Sequence, residues 1–211
     1  NAKGQTITAT APIVDDFIVS GPDWNPAIGI NLIATLGYGN WELNWFSSDD
    51  GRRYEARYWF NYAEVMTNGD TIQKTIERVL GTVIADNVNG GQPLSASIAG
   101  EDFYQGIASV IDPNPDVVKR IFYGVDIQIA AASDDFHTYL TLSDPISGIV
   151  EERPSFTNVN GGYGLFASRM FKHTFNKKLN DNSLAELLNG PYTGSLLFCA
   201  AQSSGPPNGC N

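Results

Sequence analysis

Tyr54, Ala56, Tyr58, Phe60 and Tyr62 stand at every second position, and Glu55, Arg57, Trp59 and Asn61 fill the gaps between them. A strand turns successive side chains to opposite faces, so this run reads as a strand with one buried and one wetter face. Upstream, Trp41, Leu43 and Trp45 alternate with Glu42 and Asn44 in the same way, and Ser48-Asp49-Asp50-Gly51 separates the two runs. The spacing predicts that they are the two arms of one hairpin around a glycine-containing loop. Asn68-Gly69 predicts a second hairpin, leading into a strand over Thr71–Val79.

Other segments extend the β pattern. Thr6–Val14, Asn31–Leu36, Val125–Ile129, Phe136–Leu142, Leu165–Phe175 and Tyr192–Phe198 read as strands, and residues 85–97 as loop. Ser133-Asp134-Asp135 reads as the turn before Phe136. The period changes twice. Phe103, Ile107, Val110 and Ile111 form a helical stripe, with Glu101 and Asp102 where the helix dipole favours anions and Asp112-Pro113 as its stop. A short helix is expected near Leu184–Leu188, ended by Asn189-Gly190-Pro191. The fold class is therefore mainly β, an antiparallel β-sandwich with one amphipathic and one short helix inserted.

A chain of 211 residues with 42% hydrophobic and 11% aromatic content can bury a sizeable core, and its net charge is −10. That balance argues against nucleic acid, which requires a basic stripe, and against docking on an anionic lipid surface. The two cysteines, Cys199 and Cys210, flank a turn-rich loop. A disulfide closing it is favoured over a two-cysteine metal site, because no histidine is near, and it implies an oxidising compartment. No apolar run reaches the length of a membrane span. No basic-then-apolar leader opens the chain, so Asn1 reads as a processed or otherwise trimmed start.

Catalytic patterns are thin. Gly162-x-Gly164-x-x-Ala167 matches a relaxed dinucleotide fingerprint, but the residues after it alternate like a strand and no βαβ rhythm surrounds it. Gly161, Gly162 and Gly164 are expected to serve a tight turn or a close backbone crossing, with positive φ at Gly162 or Gly164 and no helix starting at Leu165. Of the two histidines, His137 is expected on the exposed face of a strand and His173 on the surface. A hydrolase built on His137 and nearby acids is one alternative function. Asp15-Asp16, Asp49-Asp50 and Asp134-Asp135 could feed calcium, but aspartate is also a good turn residue. Glu42, Glu55, Glu64 or Glu151-Glu152 could pair for glycoside hydrolysis. Trp24, Trp41, Trp45 and Trp59 would suit a sugar-stacking surface. Three of them lie in the strongest strands, so core packing is the expectation, and a carbohydrate-binding module using surface Trp and Tyr is the other alternative.

Several segments together resemble a known family. They are Ile7-Thr8-Ala9-Thr10-Ala11-Pro12-Ile13-Val14-Asp15-Asp16-Phe17, then Gly51-Arg52-Arg53-Tyr54 with Phe60-Asn61-Tyr62-Ala63-Glu64, and Arg153-Pro154 through Thr157-Asn158-Val159 to Gly164-Leu165-Phe166-Ala167-Ser168-Arg169. The chain is similar to a family of Bacteroidota outer-membrane surface lipoproteins of unknown function, often found beside SusC-like TonB-dependent transporters. The resemblance implies a non-enzymatic cell-surface module that associates with an outer-membrane β-barrel complex and assists capture of a substrate, a glycan or peptide among the ligands. It implies no catalytic residue, cofactor or metal. Members begin with a lipidated cysteine and an Ig-like sandwich. This chain shows neither, and Thr6–Ala9 reads as the last strand of that sandwich. Residues 1–20 are then its end plus a linker, 21–198 a β-rich domain, and 199–211 a disulfide-closed loop. Trp41-x-Leu43-x-Trp45 and Tyr54-x-Ala56-x-Tyr58 are similar to the facing sheets of a fibronectin-like core.

Overall fold

The computed structural model describes residues 6–22, 24–143, 156–201 and 210. In chain order the elements are β1 (Thr8–Ala9), β2 (Val19–Gly21), β3 (Ile33–Ala34), β4 (Gly37–Tyr38), β5 (Asn40–Phe46), β6 (Arg53–Met66), β7 (Thr71–Ile84) and β8 (Pro93–Ala99). Then come α1 (Gly100–Ala108), β9 (Val117–Ala132), α2 (Asp134–Ser143), β10 (Val159–Asn160), β11 (Arg169–Lys177) and α3 (Asp181–Asn189). A 3-10 turn over Gly194–Leu196 and β12 (Phe198–Ala200) follow.

The protein is mainly β: two main sheets face each other across the core, and β1-β10 and β3-β4 form two small two-stranded sheets. The large sheet runs β11-β9-β6-β7, with β12 parallel to the first half of β9. The smaller sheet runs β2-β5-β8. The expected alternation sets the facing surfaces. Trp41, Leu43 and Trp45 of β5 are buried, and so are Tyr54, Ala56, Tyr58, Phe60 and Tyr62 of β6. Trp45 meets Tyr54 across the gap with ring centroids 6.0 Å apart. Phe60 lies in a nest of rings, stacked on Phe122 at 4.9 Å and edge-on to Phe103 and Phe198. Rings packed this way add to the burial of their area, on the order of 1 kcal/mol per pair. Val14 and Phe17, from the stretch preceding residue 21, join the same core, and β1 pairs with β10.

The two alternating runs are not arms of one hairpin. Trp41–Trp45 pairs with β8 and β2, whereas Tyr54–Tyr62 pairs with β7 and β9. The loop between them carries the chain from one sheet to the other. Its Ser48 N–H donates to the Tyr54 hydroxyl at 2.7 Å, and Asp50 takes a positive φ of 59°. Period-2 alternation specifies which face is buried and leaves the partner open. The second hairpin forms as expected: Gly69 has φ 90°, Met66 N–H donates to the Asp70 carbonyl at 2.8 Å, and β7 follows.

Phe136–Leu142 is a helix and not a strand. Asp134 and Asp135 occupy the first turn of α2, where carboxylates favour a helix start. α2 has no fully buried residue, so neither period stands out in its sequence. Further expectations shift: of Thr6–Val14 only Thr8–Ala9 is strand, and of Asn31–Leu36 only Ile33–Ala34. Leu165–Ser168 is irregular and β11 begins at Arg169; residues 93–97 belong to β8; and the last strand is confined to Phe198–Ala200 behind the 3-10 turn. Helix α1 forms and buries Phe103 and Ile107 of its stripe, but it ends at Ala108, so Val110 and Ile111 lie beyond it and Val110 is exposed. Helix α3 is capped by Asn180, whose side chain accepts from Ser183 N–H at 3.0 Å. The disulfide Cys199–Cys210 is formed, with Cα atoms 5.1 Å apart.

Candidate binding face

The large sheet has a second surface, turned away from the core. Strand register builds it in rows. Ile84, Arg53, Ala132 and Arg169 form the first row; Thr82, Glu55, Ala130 and Phe171 the second. Val79, Arg57, Gln128 and His173 form the third, and Glu77, Trp59 and Asp126 the fourth, beside which β11 bulges. Beyond lie Thr75, Asn61 and Gly124. The bulge falls between Thr174 and Lys177, so Phe175 stays outside while Lys177 turns inward. Lys177 is fully buried, its Nζ donating to the Asn25 carbonyl at 2.7 Å and lying over the Trp41 ring.

Aromatic rings bracket this face. On β11, Phe171, His173 and Phe175 are exposed at alternate positions, Phe175 at 59%. The His173 and Phe175 rings stack at 5.5 Å, 8° from parallel. Two strands away, Trp59 is half-buried with the Arg57 guanidinium 5.9 Å from its ring centre. Trp24 steadies β11 from the side: its indole N–H donates to the His173 carbonyl at 3.0 Å, and its own carbonyl accepts from Thr174 Oγ1 at 2.9 Å.

The middle of the face is polar and held in place. Gln128 Nε2 and His173 Nε2 lie 2.9 Å apart. Asp126 accepts from Asn61 Nδ2 at 2.9 Å and from Asn176 N–H at 2.7 Å, and Thr75 Oγ1 donates to Asn61 Oδ1 at 3.0 Å. Arg57 binds Glu77 at 2.5 Å and pairs with Glu55 on its other side. α2 borders the first row, where Arg169 lies over the rings of Phe136 and Phe171 at 5.3 and 4.9 Å. A half-wetted surface with fixed amides, carboxylates and guanidiniums between the half-buried Trp59 and the exposed rings of β11 can hold an elongated polar ligand by stacking and hydrogen bonding.

The other sequence candidates fall elsewhere. Trp41 and Trp45 are core residues, as expected, but Trp59 is on the outer face. Glu42, Glu55 and Glu64 are not brought together. Glu42 is exposed on the smaller sheet, Glu55 is tied to Arg57, and Glu64 is buried against Arg120; Glu151-Glu152 lies outside the described residues. Asp15, Asp16 and Asp49 border one cleft of about 330 Å³, and Asp134-Asp135 is on α2. Lys172 bonds Asp16 and holds its carboxyl below the usual range. Among the described residues, no group of three or more His, Cys, Asp or Glu is placed to hold a metal.

His137 sits in α2, half-buried, not on an exposed strand face. Burial, then Arg52 and Arg53, hold its imidazole below the usual value. Among the described residues, its Nδ1 and the buried hydroxyl of Ser133 meet no hydrogen-bond partner, and Ser133 is sealed from solvent.

The glycine segment is a turn beside α2. Gly161 and Gly164 have φ of 80° and 150°, Gly162 does not, and no helix begins at Leu165. Thr157 Oγ1 donates to the Gly164 carbonyl at 2.9 Å, and the Asn158 side chain bridges Phe166 and Asp135. Arg153-Pro154-Ser155 lies outside the described residues. No family model, curated protein or solved structure matches the chain.

Sequence reading placed Glu55, Arg57, Trp59 and Asn61 together on a face. It missed their neighbours Asp126, Gln128, His173 and Phe175. The alternation of Phe171, His173 and Phe175 was a usable signal, but the register that sets them beside Trp59 was not in it.

Proposed function

We propose that this chain is a non-enzymatic, exported binding module that holds a saccharide on the outer face of its large sheet. The observation that carries this reading is the bracket of Trp59 on one side and His173 with Phe175 on the other, around Gln128 and Asp126. Sugar rings offer an apolar C–H face and a rim of hydroxyls. Flat exposed aromatics suit the first, and side chains already locked by their neighbours suit the second. Large apolar groups exposed together on a soluble surface mark an interaction site.

Binding fits this face better than turnover. Glu77 and Asp126, the carboxylates beside Trp59, are both engaged, Glu77 by Arg57 and Asp126 by Asn61 and the Asn176 N–H, and Glu55 also pairs with Arg57. The disulfide supports export, since such bonds persist in oxidising compartments. The family resemblance supplies the setting: a cell-surface lipoprotein module of the outer membrane, presenting its ligand to a TonB-dependent transporter-like β-barrel.

Two measurements test the two parts. On a glycan array the purified protein is expected to retain at least one saccharide class, and Trp59→Ala with Phe175→Ala to abolish it while lowering the thermal midpoint by no more than a few degrees. An array without hits would overturn the binding reading. Affinity purification of the native protein from membranes is expected to bring a barrel protein with it, and recovery of the chain alone would overturn the setting.

A further inference from the structure

We infer that the saccharide is an acidic oligomer, one of whose carboxylates sits between Arg53 and Arg169. The inference rests on the saccharide reading above and adds the class of sugar. Arg53 and Arg169 are both paired with Ala132, one on each side, so they flank a small side chain on the same face. Their main chains are two strand spacings apart, roughly 10 Å, within reach of one carboxylate for two long guanidinium stems.

These two arginines differ from their neighbours. Arg52 has Asp134 at 3.4 Å, and Arg57 has Glu55 and Glu77. Among the described residues, neither Arg53 nor Arg169 meets a carboxylate. Arg53 reaches only the Thr82 hydroxyl, at 3.5 Å, and Arg169 lies over two rings. Two guanidiniums on one face that meet no carboxylate among the described residues stand out in a chain with 13 Lys and Arg and 23 acidic residues. A guanidinium presents a planar fork that a carboxylate fills with two hydrogen bonds, and rings behind the fork keep it flat and partly dry. Burial, then the nearby Arg57, hold Arg169 below its usual range.

Length follows from the same register. From Arg53 to Trp59 is six residues of strand, roughly 20 Å. A single sugar cannot touch both ends. An oligosaccharide can, with its acidic unit in the arginine row and later rings against Trp59, His173 and Phe175.

The test is calorimetric titration of the purified chain with a panel of oligouronates (galacturonate, mannuronate and glucuronate), each beside its carboxyl-reduced, neutral counterpart. At low salt, at least one acidic form is expected to bind about tenfold or more tighter than its neutral twin, with the advantage shrinking as salt is raised. Arg53→Gln and Arg169→Gln are each expected to remove about tenfold from the acidic form and leave the neutral form unchanged. Equal binding of both forms would overturn the acidic inference while sustaining the saccharide reading. Binding of neither, together with an array without hits, would overturn both. Tight acidic binding that neither arginine variant weakens would also overturn the inference, because the site would lie elsewhere. Thermal midpoints show that the variants are folded, and if Arg169→Gln fails to fold, Arg53→Gln carries the test.

Discussion

Arg120 and Glu64 form an ion pair at the inner end of the large sheet, with Nε and one terminal nitrogen of Arg120 both about one Glu64 oxygen, at 3.0 and 2.9 Å. The Arg120 side chain is 3% exposed. It also donates to the Leu196 carbonyl at 2.9 Å, so one guanidinium ties β6 and β9 to the 3-10 turn before β12. Its hydrogen bonds offset the cost of drying the charge.

Removing one partner should therefore be costly. Arg120→Ala leaves the buried Glu64 with only the half-exposed Lys74, 3.9 Å away, among the described cations, and a loss of up to about 3–5 kcal/mol is expected. Replacing both, as in Arg120→Met with Glu64→Leu, should recover much of that loss because no lone charge remains. Urea denaturation of the single and double variants measures both effects. A single variant as stable as the parent would mean that the pair is solvated.

The disulfide closes a loop of sequence separation 11. Constraining a loop of that length in the unfolded chain stabilises by about 2–3 kcal/mol. Cys199→Ser with Cys210→Ser is expected to lower stability by that amount, read as the shift in denaturation midpoint. The carbonyl of Cys210 also accepts from Lys119 Nζ at 2.5 Å, so Lys119→Ala should lose less in the double variant than in the parent.

Face was more legible in the sequence than partnership. The alternations at Trp41–Trp45 and Tyr54–Tyr62 named the buried side of both strands correctly, because burial follows local period. Their pairing was misread, because the true partners, β8 and β9, arrive from far along the chain and leave no local mark. Phe136, Thr138, Leu140 and Leu142 misled for a different reason. On the lightly buried α2 the apolar pattern is weak, and Asp134-Asp135 was the better signal. The binding face needed β11, β9, β6 and β7 in register, so only the β6 contribution could be read.

Trp59 and Phe60 are neighbours on opposite faces of one strand, which separates binding from stability. Phe60→Ala removes a fully buried ring from a nest of aromatics, and a loss of about 3–5 kcal/mol is expected. Trp59→Ala on the outer face should cost no more than about 1 kcal/mol and instead reduce saccharide retention. Parallel melting and glycan-binding measurements decide it. If Trp59→Ala melts like Phe60→Ala, the tryptophan is structural.

Tyr58 gives the fold an alkaline limit. Its ring is buried between the sheets, beside a cleft of about 380 Å³ bordered by Arg78 and Asp102. Burial pushes the phenol up to about 12; Arg78 lowers it and Asp102 raises it further. The unfolded phenol ionises near its ordinary value of 10.0. The folded value is the higher one, so the contribution to stability is full below pH 10.0 and is lost as pH rises toward about 12. Other buried tyrosines shift in the same direction, so the difference from Tyr58→Phe is the quantity to measure. The parent and Tyr58→Phe are expected to differ by a constant amount in unfolding free energy up to pH 10.0, after which the parent declines more steeply. Parallel curves through pH 12 would mean that the hydroxyl stays solvated in the folded protein.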